Sequence, residues 1–153
     1  MLLDGLHNGV KYTCAIPPIA AITDNTATVS NICDTNGFTQ NEFIGVMGAI
    51  ADADVTFTLL VEHGDASNLS DAAAVADEFL LGTEAGTITS GAAVSGGAPG
   101  FADDNKTFKI GYIGPKRYFR VTLTPANNSG NIFRAGVFAQ SGARKEPFTA
   151  QVV

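Results

Sequence analysis

Apolar and polar residues alternate with a period of two along most of this chain, the mark of strands that bury one face. Val10, Tyr12, Cys14 and Ile16 alternate with Lys11, Thr13 and Ala15 until Pro17-Pro18 ends the run. Thr26 to Cys33, rich in Thr and Val, stops at Asp34-Thr35-Asn36-Gly37, a strong turn signal. Phe43 to Ile50 reads as a strand whose Gly45 and Gly48 mark a bulge or a close backbone approach. After an Asp52-Ala53-Asp54 turn, Val55, Phe57, Leu59 and Val61 face one way, and Thr56, Thr58, Leu60 and Glu62 face the other.

The last third is the most regular. Phe108, Ile110 and Tyr112 share one face, Gly114-Pro115 turns the chain, and Phe119, Val121 and Leu123 line the next run. Thr107 to Thr124 is therefore expected to be a β-hairpin. Ile132 to Ala139 follows as a final strand with Phe133, Ala135 and Val137 on one face. Amphipathic helical periodicity hardly appears. Ser70-Asp71 offers an N-cap before Ala72 to Phe79, so a short helix or ordered loop is expected there, with Val75, Leu80 and Leu81 plugging the core.

Seven or eight strands at fairly even spacing point to an all-β fold, an antiparallel β-sandwich of jelly-roll or immunoglobulin type with at most one short helix. The chain has no Trp, so the Cys…Trp…Cys framework of a true immunoglobulin domain is missing and the jelly-roll-like form is preferred. The 153 residues suit one domain, 1–153, that can bury its own core. Extended segments are expected at 1–9 and 141–153. A flexible loop rich in Gly, Ala and Ser is expected over 86–105, with one short strand around Thr87–Thr89. Met1-Leu2-Leu3-Asp4 meets an acid before any apolar run develops, which speaks against a signal peptide and gives the Asn-x-Ser matches at Asn68 and Asn127 little weight as glycosylation sites.

Charge adds a second pattern. Residues 1–105 hold one basic residue, Lys11, against fourteen acids, and residues 106–153 hold eight basic residues against Glu146: −13 followed by +7. Either the late strands pair with acidic early strands inside one chain, or the two halves form complementary faces of neighbouring copies. The second alternative would set Arg117, Arg120 or Arg134 against acids of an adjacent copy. Nucleic-acid binding by the stripe Lys109, Lys116, Arg117 and Arg120 is disfavoured by nine basic residues in a chain of pI about 4.6.

Chemistry is sparse. His63, beside Glu62 and Asp65, has no accompanying nucleophile motif and is expected to be a solvated or hydrogen-bonded loop residue. Asp52/Asp54 and Asp103/Asp104 match no calcium loop and are expected to be solvated turn acids. Cys14 and Cys33 read as two small buried thiols, kept reduced, although spacing alone leaves a disulfide open. Neither a Gly-x-Gly-x-x-Gly motif nor a Gly-Lys-Ser/Thr motif occurs to hold phosphates. The expectation is a protein without catalytic residues, metal, cofactor, small-molecule substrate, nucleic acid or membrane partner. Docking through extended segments suits it better, including the tail residues Arg144, Lys145 and Phe148.

The segment Ile110-Gly-Tyr-Ile-Gly-Pro-Lys-Arg-Tyr-Phe-Arg-Val-Thr-Leu-Thr-Pro125 resembles a signature of tailed-bacteriophage capsid decoration (cement, or head-stabilisation) proteins. Asp34-Thr-Asn-Gly-Phe38, Val61-Glu-His-Gly-Asp65, Leu69-Ser-Asp-Ala-Ala-Ala-Val75 and Ala143-Arg144 with Pro147 fall where that family has similar segments. The resemblance implies a jelly-roll-like trimer on the capsid exterior at three-fold and quasi-three-fold positions, bridging major capsid proteins and assembled in the bacterial host cytoplasm. It carries no catalytic residue. A tail-tube or head–tail connector component is the nearest alternative, and a carbohydrate- or receptor-binding module a more distant one, disfavoured by the missing Trp and only three Tyr.

Overall fold

Most of the alternating runs become strands in a computed structural model that describes residues 5–84, 94–95 and 98–143, although the last of them turns Ile132, Gly136 and Phe138 inward and leaves Phe133, Ala135 and Val137 on its outer side. A one-turn helix α1 (Gly5–Asn8) precedes β1 (Val10–Ile16), β2 (Thr28–Val29), β3 (Cys33–Asp34), β4 (Gln40–Ile50), β5 (Thr56–Gly64), β6 (Ala73–Ala74), β7 (Leu80–Leu81), β8 (Val94–Ser95), β9 (Thr107–Tyr112), β10 (Tyr118–Ala126) and β11 (Ile132–Ser141). Two sheets result. The first has the order β1-β11-β4-β9-β7, with β8 also on β9; the second has β2-β10-β5-β6, with β3 also on β10. All the pairings are antiparallel except β8 on β9. The chain passes from one sheet to the other between β1 and β2, β3 and β4, β4 and β5, β6 and β7, β9 and β10, and β10 and β11. This is the winding of a jelly-roll sandwich.

That winding overturns the expected hairpin. β9 lies in the first sheet and β10 in the second, so Thr107 to Thr124 crosses the sandwich instead of pairing with itself. Phe108, Ile110 and Tyr112 face Phe119, Val121 and Leu123 across the core, and all six are buried. The crossing is held by Tyr112. Its ring stacks on Phe119 at 4.7 Å, and its hydroxyl oxygen accepts the Lys116 N–H and lies within hydrogen-bond reach of the Lys116 carbonyl, each at 3.1 Å. Gly114 passes directly over that ring; a Cβ there would lie 2.5 Å from ring atoms. A run of apolar residues at period two has the same appearance whether its partner lies beside it or opposite it, so the pattern alone favoured the shorter connection.

A chain of aromatic contacts runs through the core from Tyr112 through Phe119, Phe138 and Phe43 to Phe108, joining the sheets at centroid distances of 4.7–5.8 Å. Gly45 does make a close approach, since a Cβ there would sit 2.3 Å from the Phe108 ring. Gln140, almost fully buried, ties the layers by donating to the Asp34 carbonyl and the Asn41 side chain, both at 2.8 Å.

Several other expectations change. The segment 72–79 holds β6 and a 3₁₀ turn (Asp77–Phe79) in place of an α-helix; Val75 and Leu80 plug the core, while Leu81 is exposed. Small alanines bury too little to hold a helix against the sheet, and Val75 instead donates to the Val61 carbonyl at 2.9 Å. The expected N-terminal extended segment contains α1. The end of the expected loop over 86–105 is built, with β8 and a 3₁₀ turn at Phe101–Asp103. Asp103 is buried there, accepting the Gly100 N–H at 2.7 Å, so it is not a solvated turn acid. The strand expected around Thr87–Thr89 lies outside the described residues.

Candidate functional site

The six candidate interface residues divide into two groups. Arg144, Lys145 and Phe148 lie outside the described residues. Arg117, Arg120 and Arg134 are all engaged within their own chain. Arg117 grips Asp34 with two hydrogen bonds of 2.9 and 2.8 Å, which hold the Asp34 carboxyl below its ordinary range. Arg120 reaches Glu62, its direct cross-strand neighbour, at 2.8 Å. Arg134 donates to the Thr28 hydroxyl at 3.0 Å and to the Ala20 carbonyl. Lys116 pairs with Asp65, Lys109 with Glu42 at 3.0 Å, and Lys106 with Asp103 at 3.5 Å. Four of the eight basic residues of the last third, Lys109, Lys116, Arg117 and Arg120, thus meet acids between Asp34 and Asp65 of the same chain, as the first of the two alternatives has it.

His63 is hydrogen-bonded but sits in strand β5, with Nδ1 2.8 Å from the Tyr112 hydroxyl and the two rings edge to face. Burial, then the nearby Lys116 ammonium, holds its pKa below the ordinary value. Asp65 is committed to Lys116 and does not orient the imidazole. The cluster is a lock between β5 and β9, and it offers a substrate no nucleophile–base pair. Among the described residues, no group of His, Cys, Asp and Glu is placed to hold a metal ion. Both thiols are unpaired: Cys33 is buried and its thiol is pushed up to about 12 by that burial, whereas Cys14 is exposed, against expectation. The cause is a register shift in β1 between Cys14 and Ile16, which turns Ala15 and Ile16 inward together and leaves Tyr12 and Cys14 on the outer side.

The unusual surface is the outer face of the first sheet. Direct register aligns Cys14 with Val137 and Val137 with Ile44 in one row, and Ala135 with Val46 in the next. A third row runs Tyr12, Ala139, Glu42, Gly111 and Leu81. Phe133 stands at one end over Gly48, half exposed at 50%. Toward the opposite end of β4 the surface sinks into a depression of about 280 Å³ lined by Thr39, Gln40, Asn41, Glu42, Leu81, Lys109, Gly111 and Ile113. Four strands about 4.8 Å apart, overlapping over roughly seven residues of about 3.4 Å each, make a face on the order of 500 Å². Gln40, Ser141, Thr107 and the Lys109–Glu42 pair share that face, so its apolar part is smaller, within the range of the largest apolar patch on a typical monomer.

None of its apolar residues stood among the six candidates. Their signal was continuity. Phe43-Ile44-Gly45-Val46-Met47 and Ala135-Gly136-Val137-Phe138-Ala139 are apolar at every position, so whichever side faces the core, the other side is apolar too. No protein-family model matches the chain, and no curated protein is significantly similar to it.

Proposed function

We propose that this chain is a structural virion protein that decorates and stabilises the outer surface of a tailed-phage capsid. In this reading it bridges major capsid proteins as a trimer at three-fold and quasi-three-fold positions. The observation that carries it is the apolar outer face of the first sheet, a surface made for another protein on a sandwich whose polar groups are largely spent on one another. The resemblance in Ile110–Pro125 supports it. Those residues form the end of β9, the crossing and most of β10, and the Gly-Pro-Lys-Arg stretch with its flanking aromatics is what the crossing needs. The jelly-roll winding agrees with the fold that the resemblance implies.

The test is to mix purified protein with capsids that lack it and to image them. Ordered density at three-fold positions is expected. Rings of protein, or no binding, would count against the reading.

A further inference from the structure

We propose that His63, Tyr112 and Lys116 form a hydrogen-bond relay that runs one way, from His63 Nδ1–H to the Tyr112 hydroxyl and from there to the Lys116 carbonyl. The relay latches the crossing between the sheets in both charge states of the imidazole. It rests on the fold and stands apart from the reading of capsid binding.

Proton counting assigns the direction. The Tyr112 side chain is almost fully buried, and its hydroxyl oxygen has three polar neighbours: the Lys116 N–H at 3.1 Å, the Lys116 carbonyl at 3.1 Å and His63 Nδ1 at 2.8 Å. A phenol has a single proton to donate. The Lys116 N–H can only donate, so it takes an acceptor position on the hydroxyl oxygen. The Lys116 carbonyl can only accept, so it receives the Tyr112 proton or faces another oxygen with no hydrogen between them. His63 Nδ1 is the neighbour able to play either part. A bare Nδ1 would claim the Tyr112 proton and leave the two oxygens in contact, at the cost of an unmade hydrogen bond. With a proton on Nδ1, every polar group of the cluster is satisfied at once.

The neutral ring therefore carries its bare nitrogen at Nε2. That atom has no hydrogen-bond partner among the described residues, and none of their unpartnered side-chain nitrogens or oxygens is buried, so Nε2 meets water. An added proton enters there and leaves the bond from Nδ1 to Tyr112 intact. The charged groups around the ring are Lys116 on the crossing and Asp65 and Asp71 on the loop after β5. Lys116 pairs with Asp65, and Asp71 accepts the Asp65 and Ala66 N–H groups at 2.8 and 3.1 Å, so none of the three competes for Nδ1. From β10 and β6 the register neighbours of His63 are Phe119 and Ala73, which carry no charge.

The chain has two histidines, and the other, His7, is exposed. In a sample labelled for nitrogen NMR, the ring shifts followed through a pH titration report which nitrogen holds the proton, and His7→Gln assigns the two rings. For His63 a protonated Nδ1 is expected at every pH at which the chain is folded, with the Nε2 shift alone moving as acid is added. Tyr112→Phe keeps the ring and removes the hydroxyl. It should release His63 to the tautomer mixture of His7 and speed exchange of the Lys116 amide hydrogen about three- to tenfold. A bare Nδ1 in the neutral ring overturns the relay, since Tyr112 would then donate to His63 and acid would have to turn the hydroxyl round. A His63 tautomer or a Lys116 exchange rate that Tyr112→Phe leaves unchanged overturns it too. If Tyr112→Phe fails to fold, the wild-type titration alone decides.

Discussion

The two outer faces of the sandwich are built from the same kind of strand and differ in almost everything else. On the second sheet, β5 and β10 present Thr56, Thr58, Thr122 and Thr124 around the Arg120–Glu62 pair, with Leu60, Tyr118 and the neighbouring Val29 of β2 as apolar exceptions. That is the polar outer face expected of an antiparallel sheet that meets water. On the first sheet, Tyr12, Cys14, Ile44, Val46, Phe133, Ala135 and Val137 occupy the equivalent outward positions. Threonine and valine are nearly the same shape and both favour strands, so the fold is indifferent to this choice. The difference therefore concerns what each face meets.

The largest expected effect tests the core that holds these faces apart. Phe119→Ala should cost about 3–5 kcal/mol in urea unfolding, because Phe119 is fully buried and touches Tyr112 of one strand and Phe138 of another. A loss below about 1 kcal/mol would mean that this ring does not join the sheets. Exchanging the faces comes next. Val46→Thr with Val137→Thr, and separately Thr58→Val with Thr122→Val, should each change unfolding by about 0.5 kcal/mol per site or less. The first pair should weaken binding of an apolar-surface dye, and the second should raise it. Equal dye binding by both variants would erase the distinction between the faces.

Comparable in size are the charged pairs on the two faces. A double-mutant cycle on Arg120 and Glu62, both mostly buried, should give about 0.5–1 kcal/mol of coupling. The same cycle on the more exposed Lys109 and Glu42 should give about 0.3 kcal/mol or less. Reversed magnitudes would place the better-shielded pair on the wrong face. The smallest effect belongs to His63, which reaches from the second sheet to Tyr112 of the first. Its folded pKa lies below the ordinary 6.5, so in the window beneath that value the unfolded chain binds a proton that the folded chain refuses. Stability should be complete above that window and decline as pH falls through it, and His63→Gln should flatten that part of a stability–pH curve.

The strands themselves were legible from residue order. Val55, Phe57, Leu59 and Val61 are the inward side of β5, and Phe119, Val121 and Leu123 that of β10. Their partners were not. Period two reports which side of a strand is apolar and says nothing about whether the next strand lies beside it or across the core, and hence the hairpin that proved to be a crossing. Charge order left two alternatives open for the same reason: Arg120 and Glu62 stand 58 positions apart and are direct neighbours in the sheet. Cys14 has the period-two position of a core residue and lies outside because a single register shift separates it from the inward-facing Ile16. The apolar outer face could have been read from β4 and β11, whose unbroken apolar runs exceed what one buried side requires.

The pairing of β1 with β11 also governs timing. Its register sets Val10 against Ser141, so the N-terminal strand gains its partner only when nearly all of the described chain has been made. At roughly 5–20 residues per second, a ribosome takes on the order of ten seconds to cover that distance. Throughout that interval Tyr12, Cys14 and Ile16 emerge without the strand that later flanks them. Closure of the first sheet thus waits until β11 has been made, and its long-range pairing places it among the slower folding steps of a small domain.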